Sequence, residues 1–522
     1  MSFAKTYSAQ ISYLKAVLVT IEVDISRGLH AFSIVGMPDK SVEEARDRIS
    51  AAIKNSGFDS PKSKNQKVIM SLAPAELKKE GAAFDVGMAI TYLKASGEID
   101  FDSENKMFFG ELSLDGSVRK INGSITLIME AKKLGITEVY LPKENAVEAA
   151  LISDVNIYPI ETLRELIEHI NTKIHKKETG DKITYSKIKQ QPPTRIIRKE
   201  TVYAVDISDI KGQEGSKRAL EIAAAGGHNI ALYGPPGTGK TMLAKAFCSI
   251  LPQLTFEEIL EATAIHSVSG TLQDEYVCQP PFRAPHHSAS YTSVIGGSSS
   301  PKPGEVTLAH RGVLFLDEFP EFDRRVLESL REPLEEGVVR ISRSKGGAEF
   351  PARFILIAAM NPCPCGNYGN RNKPCICVTG SLQRYRQRIS GPIIDRVDLW
   401  VEVSEVNYKN LSNNTQGETS ATVRKRVETT RALQYARAKK FNLFPILNCE
   451  IPSRILTRYA ELSDDARDTL TISAEKLNIS ARAYHRIIKI ARTIADMDKN
   501  GTVEKQHILE ALQYRPRQHL IG

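Results

Sequence analysis

The 522-residue chain contains no run of about eighteen or more apolar residues, the length a membrane-crossing helix needs. Its N-terminus lacks the basic, apolar and small-residue segments that follow one another in a secretory leader. Both absences argue against a membrane-embedded or exported protein, and a cytoplasmic protein without a membrane partner is expected. Cysteine is scarce: there are seven, an odd number with four of them crowded between 363 and 377. That pattern does not make a disulfide framework and suits a reducing compartment. The formal net charge of +8 permits a polyanionic partner, although the distribution of charge matters more than its sum. Length and a 41% hydrophobic content suit about three globular domains with ordinary cores.

What the chain does have is Gly234-Pro235-Pro236-Gly237-Thr238-Gly239-Lys240-Thr241, between the apolar run 229–233 and a helix-like segment 242–250. Strand, loop and helix in that order are the context of a phosphate-binding loop. Its glycines let backbone N–H groups converge on an anion, and the helix N-terminus adds partial positive charge. Lys240 is expected on the β- and γ-phosphates of ATP and Thr241 on Mg²⁺. A second apolar run, 312–316, ends in Asp317 and Glu318. Acids at the carboxyl end of a buried parallel strand face the phosphates, so Asp317 is assigned to Mg²⁺ through its water shell and Glu318 to the attacking water. A third, 353–359, ends at Met360-Asn361, an amide placed to sense the γ-phosphate.

Between the loop and the acids lies a long stretch without clear periodicity, including Phe282-Arg283-Ala284-Pro285-His286-His287 and Gly296-Gly297. Loops of this length in a compact domain tend to be functional. The adjacent histidines do not suit one metal, and a loop projecting toward a central pore fits better. Residues 323–336 have helical spacing ending at Gly337. Residues 338–350 then read as a hairpin turning at Gly346-Gly347, with Arg340, Arg343 and Lys345 near its tip. Such a hairpin is either a basic surface feature or a DNA contact. Cys363, Cys365, Cys375 and Cys377 form two C-x-C pairs that either close a structural Zn²⁺ site or remain four reduced thiols. Residues 381–399 are arginine-rich, and about 420 to 515 is helical in pattern.

Residues 1–171 mix strand-like and helix-like runs, 172–200 form a basic linker, 201–405 hold the nucleotide motifs and 406–522 a helical lid. The stretches 79–87 and 110–123 resemble the Lon-protease type of α/β domain. On that pattern the nucleophile's place falls on Ala83 and the base's near Ile125, neither of which can do the chemistry. A shifted arrangement using Ser124 is the alternative. The expected fold is therefore α/β throughout: a catalytically degenerate Lon-like domain, a P-loop core with a parallel sheet, and a C-terminal helical lid.

The nucleotide motifs resemble those of AAA+ proteins. That resemblance implies a nucleotide-base contact around 209–213, a sensor role for Asn361, an arginine finger at Arg396 that enters the neighbouring subunit's site, and a sensor arginine at Arg482 folding over the nucleotide in cis. Over nearly the whole chain, these motifs and the 282–287 insert are similar to the ComM/YifB group of magnesium-chelatase-like AAA+ proteins. That likeness implies a bacterial homohexamer that hydrolyses ATP and translocates on single-stranded or branched DNA, promoting branch migration in natural transformation. In a ring, six hairpins with one or two phosphate contacts each neutralise about six to twelve charges, which makes binding steeply salt-dependent. Two other readings stay open: a protein-remodelling ATPase like the chelatase motor, and an ATP-dependent protease, against which Ala83 and Ile125 argue.

Overall fold

The computed structural model describes residues 3–173, 188–197, 203–297, 302–343, 346–369, 373–405, 417–443 and 445–517. The chain divides into two compact units, one of Met1–Arg198 with Ile259–Val277 and one of Lys199–Glu258 with Cys278–Gly522. Among the described residues no helix is long and apolar enough to cross a membrane.

The first unit is built on a seven-stranded mixed sheet. Its strands run, edge to edge, Ala31–Val35, Gln66–Ala73, Lys15–Arg27, Phe3–Ser12, Lys106–Phe108, Glu138–Pro142 and Asn156–Ile160. The long antiparallel pair Phe3–Ser12 and Lys15–Arg27 sets the register, with Thr6 opposite Ile21. Alternating side chains of these strands, such as Val19, Ile21 and Val23, are fully buried, which is how a strand with one face on a core reads. The helix Lys40–Asn55 starts where Asp39 accepts a hydrogen bond from the Val42 N–H at 2.8 Å. Part of the basic linker belongs to this unit: Ile188 is buried in its core, and the Gln191 and Thr194 N–H groups donate to Ile157 and Ala150 carbonyls. The excursion 259–277 belongs here too, with Leu260 and Ala264, one turn apart, packed against the cluster that contains Ile125 and Ile128. The nucleotide-binding segment read as 201–405 is thus interrupted.

The second unit carries a five-stranded, all-parallel sheet in the order Phe282–Arg283, Val313–Leu316, Ile355–Met360, Ile230–Tyr233, Leu399–Glu402. The three central strands are buried along their whole length, as unbroken apolar runs in a parallel sheet should be. One continuous core joins this sheet and helices Glu214–Gly226 and Lys240–Ile250 to the C-terminal helices, through Val423, Leu456, Ala491 and Ile494. The boundary drawn at 405/406 therefore falls inside one compact unit.

Two local expectations change. Residues 323–336 form two short helices, Arg324–Ser329 and Arg331–Glu336. Pro333 lacks an N–H and crowds the carbonyl four residues back, so the helix divides around Leu330. In the hairpin, Arg343 pairs with Gly346 and Ser342 with Gly347. The glycines thus belong to the return strand Gly346–Pro351 and are not the turn expected of them; residues 344–345 lie outside the described residues.

Candidate nucleotide-binding site

The loop 234–241 leaves the carboxyl end of Ile230–Tyr233 and enters the helix at Lys240. A Cβ on Gly234 would stand 2.2 Å from the Val403 carbonyl oxygen, and Gly239 has φ +89°, so both positions require glycine. The buried Lys240 Nζ donates to the carbonyl oxygens of Gly234 and Pro235, each at 2.8 Å, and to Asn361 Oδ1 at 3.2 Å. Burial lowers its pKa to about 8, against the opposing pull of the Asp317 charge. Thr238 Oγ1 donates to the Pro235 carbonyl at 2.9 Å and stiffens the turn.

Thr241 Oγ1 donates to Asp317 Oδ2 at 2.8 Å. A hydroxyl and a carboxylate converging from two elements are an oxygen donor pair that fits Mg²⁺, which takes one or two protein oxygens alongside water and phosphate. Glu318 follows at φ +53°, with its N–H on Asp317 Oδ1 at 2.9 Å. Lys240 with Asn361 and Thr241 with Asp317 therefore form two hydrogen-bonded pairs, on adjacent P-loop residues, at the carboxyl end of the sheet. Of the remaining P-loop residues, Gly237, Thr238 and Gly239 can offer backbone N–H groups to an anion; Pro235 and Pro236 have none, and the Gly234 N–H donates to the Met360 carbonyl.

Arg396 lies elsewhere. The parallel register pairs Ile230 with Leu399 and Tyr233 with Glu402. Arg396 precedes Leu399 and so sits at the amino edge of the sheet, about 13 Å of strand away from the P-loop edge. Its guanidinium is ion-paired with Glu335. Arg482 reaches the same carboxylate at 3.7 Å. One turn further on, Arg486 donates to the carbonyls of Ile394, at 3.4 Å, and Val397. The start of helix Ala481–Met497 thus lies against 394–398, at the amino edge, and not over the chain's own P-loop. Its helix is anchored by Arg486 to the turn that carries Arg396, so in this structure Arg482 stands beside Arg396. Glu335 had no signal in the sequence, where it was one acid in an ordinary helix pattern.

The four cysteines come together. Sγ atoms of Cys363, Cys365 and Cys375 are 3.4 to 3.7 Å apart, and all four ligand atoms lie within 4.8 Å of one another. A tetrahedral zinc with Zn–S bonds of about 2.3 Å has sulfurs about 3.8 Å apart, so the residues fit the ion. Burial pushes the Cys363 thiol up to about 12, while the Asn367 backbone N–H helps draw Cys365 down to about 6. The Tyr368 N–H also points at Cys363 Sγ, 3.3 Å away. The loop rests on the P-loop: a Cβ on Gly366 would stand 2.5 Å from Pro236 Cδ, and Asn361 is two residues before Cys363.

In the hairpin, Arg340 is ion-paired with Glu332 and Glu349, each at 2.9 Å, and with Glu336. It is an anchor for the hairpin's base, its charge matched by three carboxylates, which does not favour the DNA contact expected of it. Arg343 lies in the strand Val338–Arg343, described here in its backbone, and Lys345 lies outside the described residues. In the first unit, Ile125 is fully buried and so is Ser124, whose Oγ has no hydrogen-bond partner among the described residues. A Ser124-based nucleophile has no access to substrate. His286 and His287 belong to no metal-ligand group among the described residues, but His287 meets Glu318, a contact the sequence did not signal.

A parallel sheet with a P-loop and an acidic pair at its carboxyl edge defines a P-loop ATPase with an AAA+-like fold. Residues 206–411 match the family described as magnesium chelatase, subunit ChlI; residues 21–145 match subunit ChlI of Mg-chelatase; residues 417–515 match the ChlI C-terminal family. The chain is 42% identical to the competence protein ComM of Haemophilus influenzae, over 100% of this chain and 99% of that one. It is also 42% identical to the protein YifB of Salmonella typhimurium, over 100% of this chain and 98% of that one. The DNA replication licensing factor Mcm6 of Drosophila melanogaster is 25% identical over 55% of this chain and 32% of its own length. The chain belongs to the ComM/YifB family of magnesium-chelatase-like proteins.

Proposed function

We propose that the chain is the subunit of a hexameric, ATP-driven DNA motor, a helicase that promotes branch migration in natural transformation and recombination. The observation that carries the reading is the separation of Lys240 and Arg396 at opposite edges of one sheet. A site that needs both is completed by a second copy, which makes a closed ring the economical assembly. Lys240 neutralises the phosphates and Asn361 orients its ammonium. Glu318 accepts a proton from the attacking water. Arg396 of a neighbouring copy stabilises charge as the γ-phosphoryl leaves, with Arg482 beside it. Thr241 and Asp317 would hold Mg²⁺, which would supply charge neutralisation to the phosphates.

DNA as the partner is favoured by the relatives, one named for competence and one for DNA replication licensing. Arg343 and Lys345, at the hairpin tip, are the residues proposed to track phosphates. In the N-terminal unit a Lon-like fold without its catalytic pair serves as scaffold. The second reading, a protein-remodelling ATPase of the chelatase kind, is favoured by the family descriptions and by the acids that enclose Arg340. The test is ATP hydrolysis with and without single-stranded and forked DNA, at low and moderate salt. Stimulation that weakens with salt supports the motor; a rate indifferent to every DNA leaves the remodelling ATPase.

A further inference from the structure

Asn229 stands one residue before the strand Ile230–Tyr233, which lies in the sheet between Ile355–Met360 and Leu399–Glu402. Each of its polar atoms is engaged across those three strands. Its N–H donates to Asp398 Oδ2 at 3.0 Å, and its carbonyl accepts from the Asp398 and Leu399 N–H groups at 2.9 and 3.0 Å. The side chain reaches in both directions: Oδ1 accepts from the Leu356 N–H at 2.9 Å, and Nδ2 donates to the Arg396 carbonyl at 3.2 Å. A backbone N–H only donates and a carbonyl only accepts, so the amide has one orientation here and both of its ends are used. The turn that carries Arg396 is held from a second side by Arg486, which donates to the carbonyls of Ile394 and Val397. Three carbonyls of that turn, at 394, 396 and 397, are therefore fixed. The Arg396 guanidinium is tied instead to the Pro392 carbonyl, at 2.7 Å, and to the exposed Glu335, contacts that a side-chain rotation can exchange.

We infer that Asn229 is a positioning residue for ATP hydrolysis: its amide sets the Arg396 backbone against the sheet, and so fixes the point from which the guanidinium reaches the nucleotide of a neighbouring copy. The inference rests on the reading of Arg396 as the group that serves that neighbour. A charge stabilises a transition state when its place is set beforehand, and an error at the backbone pivot is carried along the side chain to the reacting atoms. The amide is what the position needs. Aspartate keeps an acceptor for the Leu356 N–H but offers the Arg396 carbonyl no donor, and it sets a second carboxylate beside Asp398. Alanine leaves both the Leu356 N–H and the Arg396 carbonyl without this partner. Asn229 lies at the amino edge of the sheet, as Arg396 does, with the length of Ile230–Tyr233 between it and its own P-loop. Its effect therefore falls on the site that Arg396 enters.

The experiment measures steady-state ATP hydrolysis of the full chain and binding of a fluorescent ATP analogue, for the wild type, Asn229→Asp, Asn229→Ala and Arg396→Ala, and then for equal mixtures of variants. Asn229→Asp and Asn229→Ala lower kcat about tenfold and leave analogue affinity unchanged, and Arg396→Ala lowers kcat further. Asn229→Asp mixed with Lys240→Ala exceeds the average of the two alone, because some interfaces then combine the intact P-loop of one with the well-seated Arg396 of the other. Asn229→Asp mixed with Arg396→Ala stays at the average. Recovery in this second mixture and not in the first overturns the inference, since Asn229 then acts on its own chain's P-loop. A wild-type rate in either Asn229 variant that binds the analogue normally overturns it too. So does loss of analogue affinity in both, which makes Asn229 a support of its own nucleotide site. A wild-type rate in Arg396→Ala instead overturns the role given to Arg396, which separates the two failures.

Discussion

Lys240 and Asn361 are joined by a hydrogen bond from Nζ to Oδ1 of 3.2 Å. The ammonium is thus oriented by a residue 121 positions away, at the end of the neighbouring strand. Its titration gives the first prediction. Burial lowers the Lys240 pKa from 10.5 to about 8, so the folded chain releases this proton as pH rises through 8. A triphosphate favours the charged form and takes the proton back up. Affinity for a non-hydrolysable ATP analogue should therefore weaken above pH 8, with proton uptake at pH 9 and little at pH 7. Calorimetry in two buffers of different ionisation enthalpy measures that uptake. Lys240→Met should abolish it and lower hydrolysis by a factor on the order of a hundred or more. Binding that is flat with pH across this range contradicts the assignment.

Arg396 and Lys240 sit at opposite edges of one sheet, so a single copy cannot bring both to one nucleotide. Arg396→Ala should lower hydrolysis by about a thousandfold, the usual worth of an arginine finger, while leaving nucleotide affinity nearly intact. Mixing Arg396→Ala with Lys240→Ala should recover a measurable part of the rate, because some interfaces then combine an intact P-loop with an intact Arg396. Arg482→Ala mixed with Lys240→Ala should recover too, since Arg482 shares Glu335 with Arg396. If Arg482 served its own chain's nucleotide, its mixture with Arg396→Ala would recover instead.

How far the sequence reached follows from what each feature depends on. The P-loop, the acidic pair and Asn361 were legible because each is a short strand end, and strand ends of a parallel sheet face one edge whatever the loops do. The four cysteines were legible as a group for the same reason of proximity in sequence. Partners across elements were not. Glu335 becomes the meeting point of Arg396 and Arg482 only once 331–336, 391–398 and 481–486 are packed together. Arg340 looked free because the turn was read at Gly346-Gly347. With the true register it stands opposite Glu349, and Glu336 lies four residues before it. Pro333 was the one local signal passed over, inside a helix whose apolar spacing otherwise held.

The cysteine loop and the P-loop touch at Gly366 and Pro236, so metal content and nucleotide affinity should be linked. The purified chain is expected to carry about one zinc per subunit, read by elemental analysis. Cys375→Ser with Cys377→Ser should remove the metal and increase proteolysis within 363–377. Nucleotide affinity should fall as well, because Asn361 and the Gly366 contact lose their brace. Full metal loss with protease resistance and affinity unchanged would show that the thiols support neither.

Arg340 and the tip residues should separate in their response to DNA. The three carboxylates around Arg340 already match its charge, so Arg340→Ala removes an anchor of the hairpin's base more than a phosphate contact. Its DNA-stimulated rate should fall without a change in salt dependence. Arg343→Ala with Lys345→Ala removes two candidate phosphate contacts per subunit, and each lost contact lowers the slope of log affinity against log salt by about 0.7 on a single strand. The double variant should therefore bind single-stranded DNA more weakly and also less steeply with salt. Equal slopes for the wild type and the double variant would move the phosphate contacts off the hairpin, whatever happened to the rate, since only a lost ion pair with DNA changes the slope.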